Sequence, residues 1–324
     1  MRIGIDAHSL EENQTGVGRY LSNLLKYWKD EDIVLYFKKE IPKPYSGKVL
    51  NCNSNALFMH YYLPKAAKKD KVDVLFCPGY VAPVFYKGDI VVSMHDIIYE
   101  ARPDLYNSNL LDKILLKKIS KISAKKAKKI LTCSEFSKKE IIKHYKVDNV
   151  FVIPLAADIK KEKKDISHII KGNYIFFIGT LFKRRYIPEM IKATDKLLII
   201  GKNIHNYDLK GAIHKERAEE KYLASLYSQA DLFIWLSEYE GFGLPPLEAM
   251  SCGTPVITTK KGSLPETVGN AAVFVEDPKD VEEIKEKIEF VRKNKEELIK
   301  KGLEQAKKFS WERTAERTLE VIKK

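Results

Sequence analysis

Residues 231–255 read DLFIWLSEYEGFGLPPLEAMSCGTP, and this stretch decides the fold class. Residues 231–236 are mainly apolar and predict a buried strand, and a glycine-rich turn at 241–243 follows them. The proline pair at 245–246 predicts the first turn of a helix, where a missing N–H costs nothing, and Gly253 follows the end of that helix. A buried strand, a tight turn and a helix in this order predict one unit of a parallel α/β sheet.

The same alternation of apolar runs and amphipathic stretches continues through the rest of the chain in two series. Residues 154–172 separate the series; they are polar, lysine-rich and without a clear period, and are interpreted as a linker. Each series predicts its own doubly wound parallel sheet. The predicted strands are 2–6, 33–37, 73–77, 89–94, 129–132 and 150–153 in the first series, and 173–178, 196–200, 231–236, 254–258 and 272–275 in the second.

Helices are predicted between these strands. Ser137 and Glu140 have the spacing of a capping box that opens one of them. The tail 281–324 is predicted to be helical, with an interruption near 309–311. The predicted helices of the first series are 16–29, 54–69, 109–127 and 137–145. The expected parts are an N-terminal domain of residues 1–160, a C-terminal domain of residues 161–308, and a final helix of residues 309–324 that packs back on the N-terminal domain.

Composition limits the class of protein. The chain has 324 residues, of which 44% are apolar and 31% charged, as is typical of a soluble globular protein. No apolar run approaches the roughly 18 residues of a membrane-spanning helix, and the N-terminus lacks the apolar segment of a signal peptide. Four cysteines lie far apart without a C-x-x-C spacing, which argues against a disulfide framework or a structural zinc site. These features predict a protein of the reducing cytoplasm.

Much of the net charge of +13 comes from one segment, Lys113 to Lys129, which holds eight lysines and no acid. Its apolar residues recur at helical spacing, so the segment predicts a basic amphipathic helix. Those apolar residues are Leu111, Leu115, Ile119 and Ile122. Three interpretations compete: a surface helix that covers a sheet, a helix that rests on anionic lipid headgroups, and a nucleic-acid-binding helix. The third is disfavoured, because 48 of the 57 basic residues are lysine, which lacks the bidentate fork used to read bases.

The chemistry-bearing residues follow the strand of the opening stretch. Ligands of doubly wound sheets bind at the carboxyl ends of strands, so a cleft between the predicted domains is the expected site. The turn 241–243 and the helix after it offer backbone N–H groups and a positive dipole end, which suit a phosphate. Glu240 and Glu248 flank this turn, and carboxylates accept strong hydrogen bonds from vicinal hydroxyls. The pattern predicts a ligand with a sugar, a diphosphate and a ribose in a row.

Taken in their order, these motifs resemble glycosyltransferase family 4, whose members are retaining enzymes. The most specific match is E-x7-E at Glu240 and Glu248, and the resemblance covers nearly the whole chain. It implies a GT-B fold: two Rossmann-like doubly wound parallel-sheet domains facing each other across a cleft, with the C-terminal helix returning toward the N-terminal domain. Supporting matches are T-G-V-G-R-Y at 15–20, H-D-I-I at 95–98, C-S-E-F-S at 133–137, G-T-L at 179–181, G-S-L-P-E at 262–266 and F-S-W-E-R-T at 309–314.

The resemblance also implies roles. Glu240 would contact the donor sugar hydroxyls, and Glu248 the ribose. Arg184 and Arg185 stand where the family usually places Arg then Lys against the leaving diphosphate; Arg185 therefore departs from the pattern, keeping the charge but changing its reach. His95 would approach the donor sugar and the acceptor. The expected catalytic residues are Glu240, Arg184, Arg185 and His95; the expected donor-binding residues are Gly16, Gly18, Gly179, Thr180, Gly241, Phe242, Gly243, Leu244 and Glu248.

Structural interpretations of the same residues stay open. The basic turn at 183–185 also fits a solvated surface loop, and His95 a capping or core residue. Glu248 also fits an ordinary acid on a helix surface, and the glycines at 16 and 18 a tight strand-to-helix turn. Asp6 is interpreted as structural or as facing the acceptor, not as a general base.

The resemblance implies retention of the anomeric configuration, with the leaving phosphate accepting the proton of the attacking hydroxyl. Arg184, Arg185 and the helix start after Gly243 would stabilise the charge of the leaving group, so neither a metal nor another cofactor is expected. The stretch Asp30–Asp32 spells D-x-D, the metal motif of a different glycosyltransferase fold, but its position before strand 33–37 predicts a surface loop.

The expected donor is a nucleotide-diphosphate sugar. The N-terminal motifs are most similar to the mannosyltransferase-type branch, which favours GDP-mannose over UDP-sugars, while the shortened stretch 201–222 leaves the base unread. The acceptor is a glycan or a lipid-linked saccharide, and the segment Lys113 to Lys129 favours the second, with peripheral contact at the inner membrane face. Two other classes were weighed. A nicotinamide-dependent dehydrogenase lacks its G-x-G-x-x-G fingerprint, and a non-catalytic glycan- or membrane-binding protein stays open.

Overall fold

The computed structural model describes residues 1–11, 16–106 and 109–324. They form two compact units, one of Met1–Leu155 with Trp311–Lys324 and one of Ala156–Ser310. Each unit is built on one parallel sheet with helices on its faces, as the alternation of apolar runs predicts. The chain passes from the first unit to the second inside 153–166, a stretch without helix or strand.

The sheet of the first unit has seven parallel strands in the order β3-β2-β1-β4-β5-β6-β7. The order reverses beside β1, because the chain adds β2 and β3 on one side and then returns to place β4 on the other. The strands are β1 (Ile3–Asp6), β2 (Ile33–Phe37), β3 (Lys48–Val49), β4 (Val74–Cys77), β5 (Asp89–Ser93), β6 (Lys129–Thr132) and β7 (Val150–Val152). The helices are α1 (Gly16–Leu25), α2 (Asn55–Leu57), α3 (Leu63–Lys69), α4 (Ile98–Ala101), α5 (Leu110–Lys126), α6 (Glu135–Tyr145) and α13 (Trp311–Lys323), with a 3₁₀ turn at His8–Leu10 and a π-helical turn at Phe58–Tyr62.

The final helix α13 is part of the first unit's packing. The Trp28 indole N–H donates to the Ala315 carbonyl at 3.0 Å, and the Thr314 hydroxyl donates to the Pro154 carbonyl at 2.7 Å. Its buried face includes Trp311, whose ring lies 6.4 Å from that of Tyr20 between centroids. Apolar burial and two main-chain anchors therefore hold the end of the chain against the first sheet.

The sheet of the second unit has six parallel strands in the order β10-β9-β8-β11-β12-β13, and this order reverses between β8 and β11. The strands are β8 (Ile175–Ile178), β9 (Leu197–Ile200), β10 (Ala212–Lys215), β11 (Leu232–Trp235), β12 (Val256–Thr259) and β13 (Ala272–Val275). The helices are α7 (Ile187–Ala193), α8 (Glu220–Ser228), α9 (Leu244–Ser251), α10 (Leu264–Val268), α11 (Val281–Lys293) and α12 (Lys295–Ala306), with a 3₁₀ turn at Lys183–Arg185.

Aromatic side chains of β8 and β11 fill the centre of the second unit. The Phe177 and Trp235 rings stack at 5.2 Å between centroids with an interplanar angle of 20°, and Phe233 stacks on Trp235 at 6.0 Å. All three side chains are buried. The ends of these two strands, where the order reverses, thus rest on a rigid aromatic layer.

Every predicted strand is present, but β3 and β10 were missed. Strand β3 has two residues and is not buried, and β10 carries the half-exposed residues of an edge. An edge strand packs on fewer neighbours than a central one, so neither shows the apolar run by which the other strands are predicted.

The predicted helix starting at Ser137 was wrong by one turn. Helix α6 begins at Glu135, and the Ser134 hydroxyl, not that of Ser137, accepts the capping bond, from the Ser137 N–H at 3.1 Å. Ser137 is buried, and its hydroxyl donates to the His95 carbonyl at 2.9 Å. The predicted helix 16–29 ends at Leu25, and 54–69 is interrupted by the π-helical turn.

Helix α5 contains most of the basic segment, but it does not bury its large apolar side chains against the sheet. Leu111 is 79% exposed, Leu115 57% and Ile122 49%. Its buried positions include Ser120, Ser123 and Ala124 instead. The face that packs is therefore made of small residues, and leucine and isoleucine side chains lie outside among the lysines. None of the described helices combines the length and hydropathy needed to cross a membrane.

Candidate active site

The candidate catalytic residues of the second unit lie where β8 and β11 end side by side. The two strands pair in parallel, with Leu232 opposite Ile175 and Phe233 opposite Phe176. Because the strand order reverses between them, the segments that follow leave the sheet in opposite directions and open a crevice. Gly179 follows β8, and residues 237–240 follow β11. This is the position at which open α/β sheets bind their ligands.

Gly179 makes room for an arginine at this sheet edge. Its φ is +142°, a backbone conformation that side chains disfavour. A Cβ added at this position would collide with Arg185 Nη1 and lie 3.1 Å from the Trp235 ring. The glycine of the G-T-L motif is therefore required by close packing of the Arg185 guanidinium over the strand end.

Arg185 is a buried cation, with 7% of the residue exposed. Its Nη1 donates to the Thr180 carbonyl at 2.9 Å, and its guanidinium carbon lies 4.1 Å from the centroid of the Trp235 ring. Burial lowers the pKa of Arg185 to about 10, against the opposing effect of the Glu240 carboxylate. The group therefore keeps its charge at pH 7, in surroundings where screening by water is weak.

Arg184 lies beside it and completes a cationic pair. Its Nε is 3.9 Å from Glu240 Oε1, and its guanidinium carbon is 4.3 Å from the Phe182 ring centroid. The Nε atoms of Arg184 and Arg185 are both buried, and neither has a hydrogen-bond partner among the described residues. Buried donors of this kind are costly unless a ligand pairs with them. A solvated surface turn at 183–185 does not fit this burial.

Glu240 is held in place from two sides. The Ser237 hydroxyl donates to Glu240 Oε1 at 2.8 Å, and Arg185 Nη2 lies 3.5 Å from the same oxygen. The Glu240 carbonyl accepts from the Ser263 N–H at 3.1 Å and from the Ser263 hydroxyl at 2.9 Å. Gly262 passes so close that a Cβ there would lie 2.7 Å from that carbonyl oxygen. The G-S-L-P-E motif thus fixes the backbone of Glu240.

The glycine-rich turn leads into α9 as predicted. Gly243 has φ +98° and precedes the helix, which has no side-chain cap and places Pro245 and Pro246 in its first turn. Because proline has no N–H, the donors at this helix start are those of Leu244 and the turn before it. Gly241, Phe242 and Gly243 are buried. The arrangement is that of an anion seat built from main-chain groups.

Glu248 lies on α9 but does not face solvent. It is 4% exposed, and the Tyr227 hydroxyl donates to its Oε2 at 2.8 Å. An ordinary acid on a helix surface, the structural alternative for this residue, is therefore wrong. A buried carboxylate is retained at a cost in solvation that hydrogen bonds must offset.

His95 belongs to the first unit, two residues after β5. Both of its ring nitrogens are buried and have no hydrogen-bond partner within the described ranges. Its carbonyl accepts from Cys133 Sγ at 3.1 Å and from the Ser137 hydroxyl at 2.9 Å, and its ring packs edge-on against Tyr20 at 4.7 Å. Burial lowers the pKa of His95 to about 4, so the imidazole is neutral at pH 7. It can therefore serve as a hydrogen-bonding group but not as a cation.

The other predicted residues fall into the same two groups. In the second unit, Thr180 joins Gly179, the arginine pair and Glu240 through its bond to Arg185. In the first unit, α1 begins at Gly16, where an added Cβ would meet no atom of the described residues within 4 Å, and Gly18 is buried in that helix. Thr15 of the same motif lies outside the described residues.

Several supporting residues were not predicted. Trp235 packs under Arg185, Ser237 positions the Glu240 carboxylate, and Tyr227 positions that of Glu248. Trp235 and Ser237 stand inside the quoted stretch, but no motif assigns them a role. Tyr227 lies 21 residues before its partner on a different helix, so only the fold brings the two together.

The D-x-D stretch lies in the loop before β2, as predicted. Arg2 Nε pairs with Asp32 at 3.1 Å, and Lys323 Nζ pairs with Glu31 at 2.7 Å. Asp30 is exposed. These acids are thus engaged with surface cations of the first unit.

Comparison with known proteins agrees with this arrangement. The family model described as Glycosyltransferase Family 4 matches residues 15–161, and the model described as Glycosyl transferases group 1 matches residues 158–309. An O-antigen chain mannosyltransferase B of Escherichia coli is 31% identical over 268 residues, which cover 72% of this chain and 70% of that relative. The O-antigen chain mannosyltransferase RfbU of Salmonella typhimurium is 29% identical over 207 residues, covering 57% and 56%.

Solved structures resemble the fold over its whole length. A sucrose-phosphate synthase of Thermosynechococcus elongatus superposes with a TM-score of 0.76 at 17% identity, over 99% of this chain and 98% of that one. WaaG, a glycosyltransferase involved in lipopolysaccharide biosynthesis, superposes with a TM-score of 0.75 at 13% identity, over 99% of both chains. Both likenesses concern the fold alone. On the family matches and the mannosyltransferase relatives, the chain belongs to glycosyltransferase family 4, in its mannosyltransferase branch, and is a glycosyltransferase enzyme.

Proposed function

We propose that this enzyme transfers mannose from GDP-mannose to a saccharide acceptor with retention of configuration and without a metal ion. The observation that carries the proposal is the pair of buried guanidinium groups of Arg184 and Arg185, whose Nε donors have no partner among the described residues. They flank Glu240 at the reversal of the second sheet. A leaving diphosphate is the anionic group that this donor set suits best.

The arginine pair acts on the departing oxygen. Cleavage of the bond between the anomeric carbon and the diphosphate places negative charge on the leaving oxygen and positive charge on the sugar ring. Two cations and the uncapped start of α9 are in position before the reaction begins, so they stabilise that charge with little reorganisation. Their combined charge takes the part that a divalent cation has in metal-dependent transferases. The leaving phosphate then accepts the proton of the attacking hydroxyl.

The two glutamates hold the ends of the donor. Glu240, positioned by Ser237 and Arg185, accepts hydrogen bonds from the sugar hydroxyls. Glu248, positioned by Tyr227, accepts from the ribose hydroxyls. The main-chain groups of Gly179, Thr180 and the turn before α9 contact the phosphates and the sugar.

His95 contacts the reacting sugars as a neutral group. Its buried, unpartnered ring nitrogens and lowered pKa support a role as a hydrogen-bond partner of a hydroxyl. The preference for mannose rests on the two O-antigen mannosyltransferases among the relatives. Gly16 and Gly18 are retained as donor-binding residues of the first unit on the family motif.

The nucleotide panel is the decisive experiment. The whole protein is screened by thermal shift with GDP, UDP, ADP and their sugars, since a ligand that binds the folded state raises the unfolding temperature. GDP and GDP-mannose are expected to give the largest shift, and turnover is expected to survive EDTA. The product anomer, read by NMR, is expected to match that of the donor. A larger shift with UDP-sugars would overturn the donor, loss of turnover in EDTA the metal independence, and an inverted anomer the retention.

We also propose peripheral membrane contact through α5 and the lysines that follow it, the segment Lys113 to Lys129. Exposed Leu111, Leu115 and Ile122 lie on a helix rich in lysine, which is the composition of an interfacial helix. Partition to vesicles with anionic lipid tests the contact. The charge reversal Lys118→Glu with Lys121→Glu is expected to weaken it by roughly tenfold or more, at about 1 kcal/mol for each lysine near the surface.

The control places the same reversal at Lys139 and Lys143, which are exposed on α6. Equal loss of vesicle binding in both variants would assign the effect to net charge and contradict a specific contact by α5.

A further inference from the structure

The first unit has its own cavity at the reversal of its own sheet. The cavity has a volume of about 430 Å³ and is lined by Asp6 at the end of β1 and by Pro78 and Gly79, which follow β4. Strands β1 and β4 are parallel neighbours between which the order reverses. Its size falls within the roughly 300–1,000 Å³ of small-molecule sites. None of the predicted catalytic or donor-binding residues lines it.

One end of the cavity is polar. His8 Nδ1 lies 2.6 Å from Asp6 Oδ1, the geometry of a ring N–H that donates to a carboxylate, and the His8 backbone N–H lies 3.3 Å from the same oxygen. Asp6 is 3% exposed and Ser9 6% exposed. The Ser9 hydroxyl has no hydrogen-bond partner in the part of the chain that the structure describes. A buried hydroxyl at a cavity wall, beside an oriented imidazole, is suited to a ligand that brings its own hydroxyl groups.

The rest of the lining is largely apolar and comes from three connected elements. Met59 belongs to the π-helical turn, Tyr80 and Val81 to the loop after β4, and Leu116 and Ile119 to α5. Two hydrogen bonds tie these elements together: the Ala82 N–H donates to the Ser123 hydroxyl on α5 at 2.9 Å, and the Val84 N–H donates to His60 Nδ1 at 3.4 Å. A saccharide alone would leave this wall without apolar contacts.

The same three elements carry large apolar side chains on the protein surface. Leu57, next to the π-helical turn, is 56% exposed, and Phe85, in the loop after β4, is 79% exposed. On α5, Leu115 is 57% exposed. Apolar surface of this kind around a cavity favours a ligand that reaches the site from a lipid phase over one that diffuses in from water.

We propose that this cavity binds the acceptor, and that the acceptor is an amphiphile: a saccharide joined to an alkyl or polyprenyl chain. The hydroxylated part meets Ser9 and the Asp6–His8 pair, and the first methylenes of the chain lie along Met59, Leu116 and Ile119. The inference depends on the proposed glycosyl transfer only for the word acceptor; the binding it describes is independent of the donor.

Calorimetry with methyl and octyl mannoside tests the inference without any donor, below the concentration at which the octyl glycoside forms micelles. The wild-type protein is expected to bind the octyl glycoside at least about tenfold more tightly, because several methylenes leave water. Ile119→Trp fills the apolar wall and is expected to abolish this preference. Ile142→Trp, on the exposed surface of α6, is the matched control and is expected to keep it.

Ser9→Ala separates the two ends of the cavity. It is expected to weaken both glycosides by the same factor, whereas Ile119→Trp affects the octyl glycoside alone. Equal affinities of the wild-type protein for the two glycosides, absence of binding, or a preference unchanged in Ile119→Trp would each overturn the inference. Thermal shifts with GDP are measured on the same variants. A protein that binds nucleotide but shows no octyl preference contradicts only the acceptor inference, and one that binds the octyl glycoside but no nucleotide contradicts only the proposed function.

Discussion

The two sheets of this protein reverse their strand order in the same way but place different chemistry at the reversal. In the second unit the ends of β8 and β11 hold two buried guanidinium groups, an oriented glutamate and an uncapped helix start. In the first unit the ends of β1 and β4 hold an Asp6–His8 pair, an unpartnered serine and an apolar wall. One topology thus provides a seat for a charged group and a seat for an amphiphile, and the difference lies entirely in the loops.

Arg184→Ala gives the largest expected effect and attacks the cationic side of the comparison. It removes a buried charge next to Glu240, and turnover is expected to fall by roughly 10²–10³, the scale of losing one preorganised transition-state donor. Steady-state kinetics measure it, with Lys183→Ala, an exposed cation of the same turn, as the control. Unchanged turnover in Arg184→Ala would remove this residue from the chemistry.

His95 tests whether the first unit presents neutral groups. Its folded-state pKa of about 4 lies below the ordinary value of 6.5, so between these values the unfolded chain binds more protons and the folded state loses stability as the pH falls. The loss reaches about 3 kcal/mol near pH 4, at 1.36 kcal/mol for each pKa unit. Urea unfolding at pH 7 and pH 4 measures it.

The variant His95→Gln supplies the control for that measurement, because glutamine does not titrate. Its free energy of unfolding is expected to change less between the two pH values than that of the wild-type protein. Equal pH dependence in the two proteins would show that His95 is not buried as a neutral ring.

Glu248→Ala tests the ribose end of the second site and is expected to act mainly on donor affinity. The loss of hydrogen bonds to a carboxylate corresponds to roughly tenfold to a hundredfold in the dissociation constant for the nucleotide sugar. Calorimetry measures it. Tyr227→Phe, which keeps the carboxylate but removes its 2.8 Å donor, is expected to have a smaller effect in the same direction. Intact donor binding in Glu248→Ala would contradict the ribose assignment.

Arg185→Lys has the smallest expected effect and sharpens the meaning of the departure from the family pattern. Lysine keeps the positive charge but loses the planar contact with Trp235 and the geometry of the bond to Thr180. Turnover is expected to fall by about tenfold or less, because the Arg185 charge is the main contribution. A loss as large as that of Arg184→Ala would indicate that the guanidinium shape itself is required.

Much of the fold was predictable because central strands of a parallel sheet are buried on both faces. Their apolar runs predict eleven of the thirteen strands, and the two that were missed are the short edge strands β3 and β10. Helix boundaries were less predictable, since a cap is a local contest between neighbouring side chains. Ser134 and Ser137 are both plausible caps by type, and packing of Ser137 against the His95 carbonyl decides between them.

The amino-acid sequence by itself determined the two sheets, the glycine turn before α9 and the E-x7-E pair, because each depends on residue types at short, fixed spacing. Tertiary structure alone decided that Arg184 and Arg185 are buried with unpartnered donors, and that Tyr227 serves Glu248. It also decided that α5 packs through small residues and exposes its leucines. Burial and long-range pairing depend on which elements the sheet order brings together, and residue spacing along the chain carries no record of that order.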